Sequence, residues 1–289
     1  MAQQKIGVIV IHGVGLKGQK RPTNSSELTF SSDMARRVRR KLGAKAANLA
    51  WREVVWSDIL QKRQQAFFAD IRDKTSTDAA RAFVMSAMSD AAAYRKTADG
   101  AAAVYEQIHV RVEMTMRDME ADIGRDGPVL ILAHSLGAHI VSNYIYDLQR
   151  FMGRTGSGRF GSPLQDMRTV AGLMTFGCNI PVFLFAHRQE EIMPIAYPGA
   201  DLPEDAQIMT WWQNFYDKQD ILAYPMGPVA PCYSQMVSER ALRDVPIHLG
   251  RPVAQGWDPL SHGSYWDDAE LIAPVVHYIN KMMDGSPDR

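Results

Sequence analysis

Apolar residues recur along this chain with two different periods. Short, nearly uninterrupted runs occur at Lys5–Ile11, Leu49–Trp56, Val129–Ala133, Thr169–Phe176, Thr210–Tyr216 and Val245–Leu249. Runs of that length predict strands buried on both faces. Between them, apolar residues return every three or four positions, as in helices with one buried side. Glu27–Leu42 predicts a helix stopped by Gly43, Leu136–Phe151 predicts another, and Asp267–Met283 closes the chain with Leu271, Val275, Tyr278 and Met282 on one face. Asp58 to Ile123 is helical throughout and predicts about three helices, with a break at Gly100. One stripe there is Phe83, Ala87 and Ala91, with Val84 and Met88 beside it; another is Ile108, Val112, Met116, Met119 and Ile123. Strands alternating with helices predict an α/β fold: a mainly parallel sheet of about six strands, helices on both faces, and a helical insertion.

Proline refines the picture. Of 15 prolines, just Pro22 and Pro128 precede residue 160, so long helices belong to the first half and loops to the second. At 289 residues, without internal repeat or charge block, 1–289 reads as a single domain. The 58–123 helices either form a cap or lid over a site or pack on the sheet, and the pattern leaves both open. A hydrophobic content of 46% excludes a disordered chain. With 32 Lys+Arg against 32 Asp+Glu there is no basic excess to meet phosphates, which argues against nucleic-acid binding. Two cysteines, Cys178 and Cys232, cannot build a disulfide scaffold and suit a reducing compartment. The Ile6–Ile11 run is too short for a signal-peptide core, and no run reaches the ~18 residues of a membrane helix. These features predict a cytoplasmic protein without stable membrane insertion. No pattern speaks to oligomeric state.

The densest chemical signal is Ile131-Leu132-Ala133-His134-Ser135-Leu136-Gly137-Ala138, where a strand meets a serine and a helix begins. A sharp turn of that kind needs small residues two positions either side of the serine, here Ala133 and Gly137. It lifts the Ser135 hydroxyl to the carboxyl edge of the sheet. It also sets the Leu136 N–H at a positive helix N-terminus, where a developing oxyanion is stabilised. A plain serine cap on a core helix is the bland alternative. The turn His12-Gly13-Val14-Gly15 ends the first strand and could supply a second oxyanion donor, the Val14 N–H, with His12, Gly13 and Gly15 as its supporting turn. It lacks the third spaced glycine of a dinucleotide fingerprint and the Lys-Ser/Thr of a phosphate loop. No H-x-x-x-H pair or Cys/His cluster points to a metal, and no cofactor is implied. Serine chemistry further needs a base, and the base an orienting carboxylate.

Together His12-Gly13-Val14-Gly15, Ala133-His134-Ser135-Leu136-Gly137, Phe215-Tyr216-Asp217-Lys218-Gln219-Asp220 and Ser261-His262-Gly263 resemble the α/β-hydrolase superfamily, over nearly the whole chain. The order nucleophile, acid, histidine is that family's. The first strand here is similar to the family's third, which implies that two edge strands are absent, and Ala133 replaces the first elbow glycine. The resemblance implies an esterase- or lipase-like serine hydrolase. Asp220 is then the acid, at the loop position where this fold presents its carboxylate, with Asp217 as rival. His262 is the histidine, in a Gly256–Gly263 loop before the last helix, with His248 as rival inside a strand. His187 precedes the acid, His277 reads as a half-buried packing residue, and His134 as a hydrogen-bonding residue beneath the turn. The expected reaction is cleavage of a small-molecule carboxylic ester through an acyl-enzyme, with no cofactor. Thioester or amide cleavage, a lipase whose helices open on lipid, and a catalytically silent binding module remain alternatives.

Overall fold

The computed structural model describes residues 4–14, 22, 24, 26–75, 79–97, 103–249 and 261–285. The six expected strands form: β1 (Ile6–Ile11), β2 (Leu49–Val54), β3 (Val129–His134), β4 (Val170–Phe176), β5 (Trp212–Asp217) and β6 (Leu242–Ile247). They make one sheet in the order β2-β1-β3-β4-β5-β6, with every neighbouring pair parallel. Successive side chains of a strand point to opposite faces. The unbroken apolar runs of β1 and β3 therefore fill two cores at once. Ile9, Ile11 and Ile131 face one core, while Val8, Val10, Leu130 and Leu132 face the other.

Helices cover both faces. α1 (Ser32–Leu42) and the last helix contribute Met34, Val38, Leu271, Val275 and Tyr278 to the second core. The first core is closed by two long helices described below, on the far side of the sheet. This is the α/β architecture, a parallel sheet with helices on both faces, expected from the alternation of elements. Among the described residues no helix is long and apolar enough to cross a membrane.

The stretch from Asp58 splits into α2 (Asp58–Asp70), α3 (Ala79–Ala93) and α4 (Val104–Ile123). The expected break at Gly100 lies outside the described residues. α4 belongs to the sheet layer: Ile108, Val112, Met116 and Met119 are buried in the first core beside residues of β1 and β3. α3 is different. Its outer apolar residues Val84 and Met88 are 42% and 66% exposed, whereas Ser86 and Asp90 are buried. α5 (Leu136–Thr155) fills the first core beside α4. Then come the short α6 (Ile180–Leu184), α7 (Pro231–Ser238) and α8 (Ala269–Asp284).

Two boundaries differ from the sequence expectation for identifiable reasons. β6 starts at Leu242, not Val245, because its register with β5 runs from Trp212↔Leu242 to Asp217↔Ile247. Pro246 is tolerated there because β6 is an edge strand and a missing N–H can face outward. α1 starts at Ser32, not Glu27. The Glu53 carboxylate captures the N–H and hydroxyl of Thr29 at 2.8 and 2.7 Å, and those of Ser31 at 2.6 and 2.6 Å. The Trp51 indole N–H adds a bond to Ser31 Oγ at 2.9 Å. These bonds hold the chain before α1 in a turn.

Replacing Glu53 by Gln sets an NH₂ group against two of those donors. We expect urea unfolding of Glu53→Gln to show a loss of about 1.5–3 kcal/mol, the range for hydrogen bonds to a charged group. An unchanged midpoint would contradict this account of the turn.

Candidate active site

Five segments meet at the carboxyl end of the sheet, where parallel α/β sheets place their ligands. Ser135 links β3 to α5 with φ 53° and ψ −125°, a backbone conformation that non-glycine residues rarely adopt. Such a residue costs on the order of 1–3 kcal/mol and persists where its surroundings fix it. Here its N–H donates to the Phe176 carbonyl at 3.0 Å and its carbonyl accepts from the Ala138 N–H at 3.0 Å. The turn needs bare backbone beside it. A Cβ on Gly13 would lie 2.3 Å from Ser135 Cβ and 2.9 Å from its Oγ. A Cβ on Gly137 would lie 2.7 Å from the carbonyl oxygens of both Ile11 and His12. The two glycines thus let the end of β1 dock directly on the first turn of α5.

Of the residues expected around an oxyanion, Leu136 is the buried first residue of α5 and Val14 is packed partly buried at the β1 turn. Gly15 lies outside the described residues. His12 is fully buried and stacked on Trp56, with ring centroids 4.8 Å apart. Its Nδ1–H donates to the Gly13 carbonyl at 2.7 Å, and its Nε2 accepts from the Trp56 N–H at 3.2 Å. Both ring nitrogens are used by a neutral imidazole, and burial lowers its pKa to about 4. His12 is a brace for the turn.

Asp220 and His262 come together. His262 Nδ1–H donates to Asp220 Oδ2 at 2.8 Å, with both side chains buried. Asp220 Oδ1 accepts from the Leu222 N–H at 3.0 Å. Burial by itself would raise the Asp220 pKa. The His262 hydrogen bond and charge, the Leu222 N–H and the Tyr265 hydroxyl outweigh it and hold the carboxyl below its ordinary value. With Nδ1–H bound, His262 Nε2 presents a lone pair, and this buried atom has no hydrogen-bond partner among the described residues. Ser135 Oγ is likewise buried and unpartnered. The His262 ring faces Gly177, where a Cβ would lie 3.0 Å from its Cε1, and Gly177 directly follows the residue that anchors the Ser135 N–H.

The rivals are placed elsewhere. Asp217 spends both carboxylate oxygens on backbone, accepting from Gln219 N–H at 2.8 Å and Leu249 N–H at 2.9 Å. His248 is exposed just past β6, and its N–H donates to Glu270 Oε2 at 3.0 Å. His277 is exposed on α8 rather than half-buried, since it lies on the flank away from Val275, Tyr278 and Ile279.

Some of the supporting contacts carried no sequence signal, although His134 has the hydrogen-bonding role expected of it. His262 stands on a 3₁₀ helix of about two turns (Ser261–Asp267) rather than a plain loop. Positions i and i+3 of such a helix eclipse. Tyr265 therefore sits beside His262, donates its hydroxyl to the same Asp220 Oδ2 at 2.9 Å, and accepts from the Asp217 N–H at 3.0 Å. His134 Nε2–H donates to the His262 carbonyl at 2.8 Å, which anchors the backbone of that histidine. The loop carrying Asp220 is pinned further on. Asp244 accepts from Asn214, Met226 N–H and Gly227 N–H at 2.7, 2.8 and 2.8 Å, and the Tyr224 N–H donates to the Cys178 carbonyl at 2.9 Å. Phe83 of α3 lies edge-on to the His262 ring, with centroids 6.4 Å apart.

No protein-family model matches the chain. No curated protein matches it either. Among solved structures it is similar to a provisionally assigned hydrolase of the alpha/beta superfamily from Xanthomonas campestris pv. campestris, at 10% sequence identity and a TM-score of 0.39, covering 94% of this chain and 99% of that one. The fold described above rests on this chain's own sheet and not on that likeness.

The buried histidines make the protein acid-sensitive in a defined window. Burial lowers His12 to about 4 and His134 to about 3. His109 of α4, bonded through Nε2 to the Tyr94 hydroxyl at 2.8 Å, is lowered by burial to about 3. Unfolded, each titrates near 6.5, so between about pH 6.5 and 4 the unfolded chain binds more protons than the native one. Stability should fall with acidification across that window, at up to ~1.4 kcal/mol per pH unit for each histidine. Asp220 adds to the loss at lower pH, as its depressed carboxyl protonates. Urea unfolding at a series of pH values from 7.5 to about 4.5 measures the slope, and a flat profile would refute the neutral assignments.

Proposed function

We propose that this chain is a serine hydrolase that cleaves carboxylic esters through an acyl-enzyme, using Ser135, His262 and Asp220. The observation that carries the reading is the pair of buried, unpartnered atoms, Ser135 Oγ and His262 Nε2, at one end of the sheet. Leaving a buried polar group unbonded costs about 1–3 kcal/mol, so such atoms invite a functional account. One is a hydroxyl with a proton to give. The other is a lone pair whose opposite nitrogen is held by a carboxylate.

In this reading Ser135 Oγ attacks the ester carbonyl carbon while His262 Nε2 takes the hydroxyl proton. Asp220, ionised, fixes the tautomer and stabilises the imidazolium that results. The carbonyl oxygen becomes an oxyanion and accepts from the Leu136 and Val14 N–H groups, the first of them at the positive end of α5. His262 then protonates the departing alkoxide, leaving Ser135 acylated. Water, deprotonated by the same Nε2, attacks the acyl carbon, and as the second oxyanion collapses the bond to Ser135 Oγ breaks and His262 returns the proton to that oxygen, releasing the carboxylic acid and restoring both residues. Ser135 and His262 are 0% and 2% exposed, so substrate reaches them when a covering segment moves. We assign that movement to α3, whose Phe83 packs on His262.

The first test is intact-mass analysis after treatment with a fluorophosphonate. A single adduct on wild type and none on Ser135→Ala is expected; a folded wild type that takes no adduct would sink the assignment. The acid is tested separately. Asp220→Asn should lower kcat on the order of 10⁴-fold, the effect of losing the correct histidine tautomer. Asp217→Asn, which disturbs two backbone bonds, should mainly lower the unfolding midpoint. The reverse ranking of the two in kcat would move the role to Asp217.

A further inference from the structure

A groove of about 400 Å³ lies between α2 and α3, within the usual size of small-molecule sites. Its α2 wall carries Gln61, Gln64, Gln65 and Phe68, with Arg72 just beyond the helix end and Ser86 opposite on α3. Neighbouring helices ordinarily bury apolar stripes against each other. Here five of the eight described lining residues are polar, three of them glutamines, and the seam stays open. Gln64 bridges it, its Nε2 donating to Ser89 Oγ and Asp90 Oδ1 at 2.7 and 2.7 Å. Gln61 Nε2 is buried and has no hydrogen-bond partner among the described residues. Among the described residues lining the groove, none is acidic and Arg72 is the cation.

Both walls belong to helices anchored beside the site described above. α2 begins two residues after Trp56, which donates its N–H to His12 Nε2 and its indole N–H to the His12 carbonyl at 3.0 Å. Gln61 is one turn into that helix. On the other wall, Phe83 packs on His262, and its neighbour Ala82 lines the groove. From Gln61 to the end of α2 is roughly 14 Å at the helical rise per residue, and Arg72 follows.

We propose that this groove holds the non-reacting arm of the substrate, and that the arm is elongated, bears hydrogen-bond acceptors and ends in a carboxylate. The inference rests on the ester-hydrolase reading and names its substrate class. The chemistry is complementary at each point. The Gln61 amide leaves N–H donors unpaired in the seam, and the Arg72 guanidinium at its outer end can take a carboxylate through charge-assisted bonds. A wholly apolar chain would strand those donors.

The test uses two length-matched ester pairs. The first is 4-nitrophenyl decanoate with 4-nitrophenyl hydrogen sebacate, and the second is decyl acetate with 10-acetoxydecanoic acid. They place the carboxylate on the acyl side and the alcohol side respectively. In at least one pair, wild type should favour the carboxylate member by about tenfold in kcat/KM, carried by KM, the value of one charge-assisted bond. Arg72→Ala should remove most of that preference. Equal kcat/KM within both pairs, or a preference untouched by Arg72→Ala, would overturn the proposal. Fluorophosphonate labelling of the same wild-type sample separates the two failures. A labelled Ser135 without carboxylate preference removes the groove assignment alone, while an unlabelled Ser135 removes the hydrolase reading with it.

Discussion

The first turn of α5 rests against the end of β1 because neither Gly13 nor Gly137 has a side chain, and the rest of the candidate site depends on that contact. With a methyl group at either position, the Ser135 side chain or the Ile11 and His12 carbonyls would have to move. The contact fixes where α5 starts. That in turn fixes the Ser135 backbone at φ 53° and points the helix N-terminus toward the β1 turn. The strain is small beside the apolar surface that β1, β3 and β4 bury on both faces. A strained residue survives here because the sheet around it is fully packed.

The other half of the site is held by polar bonds instead of packing. Asp220 lies in a loop whose bonds run to β4, β5 and β6 through Cys178, Asn214 and Asp244. His262 is fixed at its ring by Asp220 and at its backbone by His134. Tyr265 ties Asp220 and Asp217 together through one hydroxyl. Each of these bonds is worth little alone, but they are buried, so breaking any one leaves an unsatisfied group behind. The helices between β2 and β3 show the opposite balance. α4 packs as a core helix, while α2 and α3 meet across a polar seam that packing does not close.

Much of this was legible in the sequence. Continuous apolar runs marked β1, β3 and β4, since parallel strands buried on both faces need apolar residues on each, while β2, β5 and β6 carry polar residues within shorter apolar runs. The stripe from Ile108 to Met119 marked α4 for the same reason. Small residues around Ser135 marked the turn, because a sharp backbone reversal excludes side chains wherever it occurs. Other features stayed hidden. Glu53 reads as an ordinary strand-edge carboxylate, yet it sets where α1 begins. Tyr265 reads as an aromatic in a loop, yet it bonds the carboxylate that meets His262. The stripe of Phe83, Ala87 and Ala91 suggests a buried apolar face, whereas α3 buries Ser86 and Asp90.

The division has a physical cause. Patterns set by neighbours along the chain, such as strand runs, helical stripes and the tight turn at Ser135, are dictated by local backbone geometry and by which side of an element must leave water. The sequence determined those, and with them the class of fold. Choosing Asp220 over Asp217 as the partner of His262, and placing His248 at the surface, depended on contacts between residues 22 to 42 positions apart. Only the tertiary structure decided those, because a side chain's partners are chosen by the direction in which its element is held, and that direction is a property of the whole packed sheet.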